Sequence, residues 1–220
     1  MWNIAFDGLL EIFSKGPVTC IGFADDAALL NTGPYANTLV AEAQSAVNKA
    51  TDWGKENGLE FSPAKTAVIL FARNKKPKKL TKLRVYGKEV NFVETAKYLG
   101  IIIDSSLTWI PHIKLKLKNA KAHLQIVRAA GTKLKGLQSK QHLWLYESCI
   151  IAAVAYGALL WCKQAQSTWG QREFKRLNRM ALIQLGNFRH STPARVWKLS
   201  SMFHHSIWRW RREPLANCFR

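Results

Sequence analysis

The residues of this sequence best suited to chemistry are two adjacent aspartates, Asp25 and Asp26, inside the run VTCIGFADDAALL from Val18 to Leu30. An apolar segment climbs to the pair and another leaves it. Each carboxylate there needs hydrogen bonds, water or a cation, and the two repel one another. One reading is a solvated Asp-Asp turn between two strands, since Asp is a common turn residue. The other is a cation site near phosphate. Paired carboxylates can hold divalent ions that activate a hydroxyl and stabilise a leaving pyrophosphate. The dipeptide alone favours the turn, and the apolar flanks weaken that reading because they bury the base of the hairpin; both readings stay open on these residues.

Several elements must position that tip. Val18–Phe23 and Ala27–Leu30 read as two strands around a tight turn at Ala24-Asp25-Asp26. Before them, Trp2, Ala5, Phe6, Leu9, Ile12 and Phe13 fall at helical spacing, and Lys15-Gly16-Pro17 breaks the pattern. After them, Gly33-Pro34 opens a helix with Val40, Ala43, Val47, Ala50 and Trp53 on one face, stopped at Asn57-Gly58. KTAVILFAR reads as a buried strand and RNKKPKK as a solvated basic loop. LRVYGKEVNFVETAKYLGIIID reads as extended chain with a turn at Gly87.

From about Trp109 the pattern is helical. Trp109, Ile113, Leu117, Ala120, Leu124 and Val127 form a stripe ending at Gly131. Leu143, Tyr146, Ile150, Ala153, Val154 and Gly157 form a second. A capping box at Thr168 and Gln171 precedes a third, with Phe174, Leu177, Ala181 and Leu185 inward and Gly186 as its stop. Ser191-Thr192-Pro193 would start a short fourth helix. Trp144, Trp161 and Trp169 read as core. The expected fold class is α+β. Residues 1–107 would bear the strands, 108–197 a helical bundle, and 198–220 an unassigned tail.

Charge is unevenly distributed. The chain of 220 residues has a formal net charge of +19. Residues 1–60 carry 3 basic and 8 acidic groups, whereas residues 61–220 carry 30 and 6. Such an excess favours a polyanionic partner or an anionic membrane. Cys20, Cys149, Cys162 and Cys218 make no C-x-x-C pair and have no His at zinc-ligand spacing, which suggests buried thiols in a reducing compartment. No signal peptide opens the chain, and the apolar run Cys149–Cys162 is too short to span a bilayer. An intracellular protein of cytoplasm and nucleus, with no membrane partner, is expected.

The wider sequence carries a resemblance. GFADDAALL resembles the catalytic hairpin of reverse transcriptases, and WNIAFDGLL resembles the text before it in non-LTR (LINE-type, jockey-like) retrotransposon polymerases. WGKENGLEFSPAKTAVILF is similar to the following helix-to-strand segment. KYLGIIIDSSLTWIPHI is similar to the primer-grip region and the entry to the thumb, and RLNRMALIQLGNFRHSTPARVW to the segment after the thumb. The matches run in the family's order from Trp2 to about Trp197.

The resemblance implies a polymerase palm with its catalytic hairpin and primer grip, followed by a helical thumb. It implies RNA-directed DNA polymerisation with Mg²⁺ (or Mn²⁺), an RNA template, a DNA primer and dNTP. Asp25 would be a metal ligand, and Asp26 the second aspartate, closer to the primer end. Phe23 and Ala24 would pack beside that end. Lys65 would neutralise or protonate the departing pyrophosphate, although it also reads as a surface lysine after Pro63. Tyr98, Leu99 and Gly100 would grip the primer, with a plain turn glycine as the other reading of Gly100. Asp104 reads as a turn or cap residue. Lys114, Lys116, Lys118, Lys121, Arg128, Lys133 and Lys135 would face the template–primer backbone.

The family also needs an aspartate from a strand upstream of Trp2, and neither Asp7, Asp52 nor Asp104 replaces it. The fingers are not visible, and HHSIWRWRREPLANCFR does not resemble the family. The expectation is therefore a fragment that is inactive by itself. The alternatives are a non-catalytic basic nucleic-acid-binding module and a decayed retroelement remnant.

Overall fold

The computed structural model describes residues 2–72, 80–133, 141 and 144–185. The basic loop, Lys135, the stop at Gly186, the start at Ser191-Thr192-Pro193 and the tail 198–220 lie outside the described residues, as does Cys218. The chain forms two compact units. One comprises residues 1–100 and 104–106, the other 101–103 and 107–220. Helices and antiparallel two-stranded sheets together make the expected α+β class.

The first unit is organised by Trp53. Helix α1 (Trp2–Phe13) ends where Gly16 and Pro17 break the helical run. It buries Phe6, Leu9 and Phe13, while Ile12 stays exposed. Strands β1 (Thr19–Phe23) and β2 (Asp26–Leu30) pair antiparallel. Helix α2 (Ala36–Glu56) buries Val40, Ala46, Ala50 and Trp53. Phe6 meets Trp53 edge-on at 6.2 Å between ring centroids, and Phe61 flanks the indole at 6.5 Å. Each such fully buried side chain stabilises the unit by about 1.5–3 kcal/mol.

Asn57-Gly58 ends α2 as the sequence predicts, in a Schellman arrangement. The Leu59 N–H donates to Gly54 O at 2.7 Å and the Gly58 N–H to Lys55 O at 3.3 Å, with Gly58 at φ +67°.

Beyond α2 the expected strand KTAVILFAR does not form. Only Val68 bridges, in parallel, to Phe92, and its carbonyl accepts from the Val93 N–H at 2.8 Å. A short apolar run satisfies its backbone as a strand only if a full-length partner lies alongside, and none does among the described residues. Strands β3 (Leu83–Val85) and β4 (Lys88–Val90) form a hairpin turned at Tyr86-Gly87. Gln44 of α2 supplies β3 with a substitute neighbour. Its Oε1 accepts from the Arg84 N–H at 2.7 Å and its Nε2 donates to Arg84 O at 2.9 Å. Strands β5 (Thr95–Tyr98) and β6 (Ile101–Asp104) make the third two-stranded sheet, turned at Leu99-Gly100.

Beyond residue 107 the described elements of the second unit are helical. Helix α3 (Ile110–Lys133) buries Ile113, Leu117, Ala120 and Leu124 and passes through Gly131, where the sequence suggests a stop. The second apolar stripe is not one helix. It is a π-helical turn at Tyr146–Ile151, a single α turn (α4, Ala152–Ala155), a break at Gly157 with φ +69°, and then α5 (Ala158–Ala165). Tyr146, Ile150, Val154 and Ala158 are all buried at a strict spacing of four. An α-helix would turn such a row by about 40° per step, and the wider π turn offsets part of that drift.

Helix α6 (Thr168–Leu185) buries Leu177 and Ala181, and its Phe174 stacks on Trp161 at 6.0 Å. Its cap is Ser167 rather than Thr168: Ser167 Oγ accepts from the Gly170 N–H at 3.1 Å. Trp161 is core and Trp169 packs against the core, but Trp144 is exposed. Among the described residues, no single helix is long and apolar enough to cross a membrane.

A candidate active-site hairpin and two basic helix faces

The register of β1 and β2 pairs Phe23 with Asp26, which leaves Ala24 and Asp25 as a two-residue loop. Period-two alternation then sorts the hairpin into two faces. Cys20, Gly22, Ala27 and Leu29 lie on one, and Cys20 and Leu29 pack against the Trp53 core. Gly22 has no substitute there, because the Phe6 ring occupies the space a Cβ would take. Ile21, Phe23, Asp26, Ala28 and Leu30 lie on the outward face, where Phe23 is 62% exposed. The core thus holds the hairpin by its back and presents the acids at its tip. Asp25 sits in the turn and Asp26 opens β2, both exposed.

Ala24 has a left-handed φ of 51°. The turns Tyr86-Gly87 and Leu99-Gly100 have left-handed values at both central positions, the pattern that matches strand twist, and each carries glycine second. At Ala24-Asp25 only the first residue is left-handed and no glycine relieves it. The φ of +77° at Gly100 is by itself sufficient reason for a glycine there.

The two carboxylates fall short of a Mg²⁺ cage. Among the described residues no cluster of three or more His, Cys, Asp or Glu could hold a metal ion. Lys65 is exposed, in a turn closed by the Lys65 and Thr66 N–H groups on Ser62 O at 3.2 and 3.1 Å. It makes no ion pair with Asp25 or Asp26. The Tyr98 Oη is buried without a hydrogen-bond partner. Burial raises its phenol above the usual range, and the charges of Asp26 and then Cys20 raise it further. Tyr98 therefore lies within electrostatic reach of the tip. Asp104 ends β6 and is buried.

On α3, Lys114, Lys118, Lys121 and Arg128 share one stripe by helical spacing, with Lys114, Lys118 and Arg128 exposed. Lys116 points elsewhere, its Nζ 4.7 Å from the Tyr156 ring centroid. The side chain of Lys133, like all of Lys135, lies outside the described residues. Cys20 and Cys162 are half-buried free thiols, whereas Cys149 is exposed, against the expectation of burial. Sequence reasoning passed over a second basic stripe, Arg172, Lys175, Arg176 and Arg179 on α6. Its i, i+3, i+4, i+7 spacing was the available signal.

Comparison with known proteins gives the frame for these features. The chain is 24% identical over 166 residues to the Retrovirus-related Pol polyprotein from type-1 retrotransposable element R1 of Nasonia vitripennis, covering 73% of this chain and 49% of that protein. It is 21% identical over 182 residues to the R1 Pol polyprotein of Bradysia coprophila, covering 83% and 18%. It is 23% identical over 185 residues to the Probable RNA-directed DNA polymerase from transposon BS of Drosophila melanogaster, covering 84% and 20%. The chain is a homologue of non-LTR retrotransposon Pol proteins. It spans from about a fifth to a half of the length of these relatives. No protein-family model matches it, and neither does any solved structure. In this chain the two adjacent aspartates stand at a hairpin tip.

Proposed function

We propose that this chain is the part of a non-LTR retrotransposon reverse transcriptase that bears the catalytic hairpin, the primer grip and the first helices holding template and primer. The observation that carries the reading is the exposed Asp25-Asp26 tip on a hairpin anchored by its back, in a homologue of retrotransposon Pol proteins. Asp25 and Asp26 would hold Mg²⁺ (or Mn²⁺) together with ligands from further residues. Tyr98, Leu99 and Gly100 hold the primer strand. Lys65 neutralises departing pyrophosphate, and the α3 stripe of Lys114, Lys118, Lys121 and Arg128 contacts the backbone of an RNA/DNA hybrid. Work in cytoplasm and nucleus follows from the same reading.

A second reading, a nucleic-acid-binding module without catalysis, is favoured by the lack of a third carboxylate beside the pair among the described residues. Primer extension with dNTP on an RNA template separates them. The chain alone is expected to incorporate nothing. Joined to the upstream half of a related R1 polyprotein, it is expected to extend the primer, and Asp25→Asn is expected to abolish extension. A chimera that binds the hybrid and polymerises at full rate with Asp25→Asn would overturn the catalytic reading.

A further inference from the structure

We infer that the outer face of α6 is a second binding surface for the phosphate backbone of nucleic acid, separate from the α3 stripe. The inference rests on the proposed nucleic-acid function and adds a site to it. Helix α6 is two-sided. Gly170, Phe174, Leu177 and Ala181 face the core, with Leu177 fully buried. Arg172, Lys175, Arg176 and Arg179 fall on the opposite side of the helical wheel, within an arc of about 100° at 100° per residue. A groove of about 680 Å³ runs along them, and among the described residues no acid lines it.

A merely solvated helix face alternates charge, so that neighbours three and four apart attract. Here every such pair within the stripe repels: 172 with 175, 172 with 176, 175 with 179, and 176 with 179. Among the described residues Glu173 pairs with this stripe: it is 16% exposed at its side chain and accepts from Arg176 at 2.6 Å, with Arg172 at 3.8 Å. It steers two guanidiniums with one carboxylate, so Arg172, Lys175 and Arg176 together keep an excess of positive charge. An array of like charges along about 10 Å of helix is relieved by a polyanion of matching length. Guanidinium forks suit phosphate oxygens, and three of the four cations are arginines. An anionic bilayer fits less well, because membrane-surface helices need an apolar face free to enter the lipid and that of α6 is spent on the core.

The test uses the full chain and a fluorescent 20-base-pair RNA/DNA hybrid, titrated across a salt series. The wild-type affinity is expected to fall steeply with salt. Arg172→Gln/Arg176→Gln/Arg179→Gln is expected to weaken binding at least ten-fold at low salt. Its log–log salt slope is expected to shrink by about 0.9 for each phosphate no longer neutralised. The matching Arg→Lys triple variant should keep most of the slope, which a merely structural role would not predict. Glu173→Gln frees two arginines and should tighten binding. Melting curves establish that each variant is folded, and Glu173→Gln carries the test alone should the triple variant fail to fold. The surface is overturned if the triple variant keeps the wild-type slope while Lys114→Gln/Lys118→Gln/Lys121→Gln loses it, or if Glu173→Gln has no effect on binding. It is overturned equally if the Arg→Gln changes abolish binding to phosphatidylserine vesicles and leave hybrid binding intact. A wild-type chain that binds no hybrid at all would instead overturn the nucleic-acid function itself.

Discussion

At the residue scale, the ADD tip depends on a glycine two positions before it. Gly22 was legible in the sequence only as part of a motif, yet its physical role is to make room for Phe6 beneath the hairpin. Gly22→Val should therefore destabilise the first unit by about 1–3 kcal/mol, read as a lower urea midpoint. Phe6→Leu in the same chain should recover part of the loss, because the two sites share one volume. His112 was not legible at all. A histidine in a basic helix looks like surface, but its ring is fully buried and Nδ1 accepts from the Ile102 N–H at 3.1 Å. Burial, and then the Lys116 charge, hold its pKa below the ordinary 6.5, opposed by the Tyr156 backbone. The unfolded chain thus takes up the proton first, and stability present above about pH 6.5 is lost as pH falls toward the folded-state value. Urea midpoints should drop between pH 7.5 and 5.5. His112→Asn, which keeps an acceptor and does not titrate, should flatten that dependence.

At the element scale, periodic segments were legible and their terminations only in part. The apolar stripes of α1, α2, α3 and α6 are readable from spacing, because burial of one helix face leaves that spacing in the sequence. Asn57-Gly58 is readable as a stop because a left-handed C′ residue favours glycine. Thr168 looks like the cap, but Ser167 offers the same hydroxyl one residue earlier and only geometry decides between them. Ser167→Ala should accordingly cost about 1 kcal/mol, and Thr168→Ala much less, compared by thermal unfolding. The strand expected in KTAVILFAR fails because β-rich composition reports half-buried surface, not the presence of a partner. Conversely, nothing in the sequence announces that a helix glutamine serves as the neighbour of β3. Gln44→Ala removes both bonds to Arg84, so the Arg84 amide should exchange with solvent several-fold faster while amides in β1 are unaffected.

At the scale of the whole molecule, charge divides between the units as well as along the sequence. Residues of the second unit include 20 Lys and Arg against 3 Asp and Glu, whereas the first unit has 13 against 11. Self-repulsion should therefore destabilise the helical unit selectively. Raising NaCl from about 20 to 300 mM, across which the Debye length falls severalfold, should raise its melting temperature by several degrees and leave the other transition nearly still. The outward face of the β1–β2 hairpin has a different consequence. Ile21, Phe23 and Leu30 are 46%, 62% and 46% exposed on a sheet that has two strands among the described residues. In concentrated solution such a ribbon is a seed for self-association, since unpaired edges and bare apolar side chains recruit like copies. Light scattering at 4 °C should rise with protein concentration, and Ile21→Lys, a gatekeeper charge on that face, should suppress it without lowering the melting temperature.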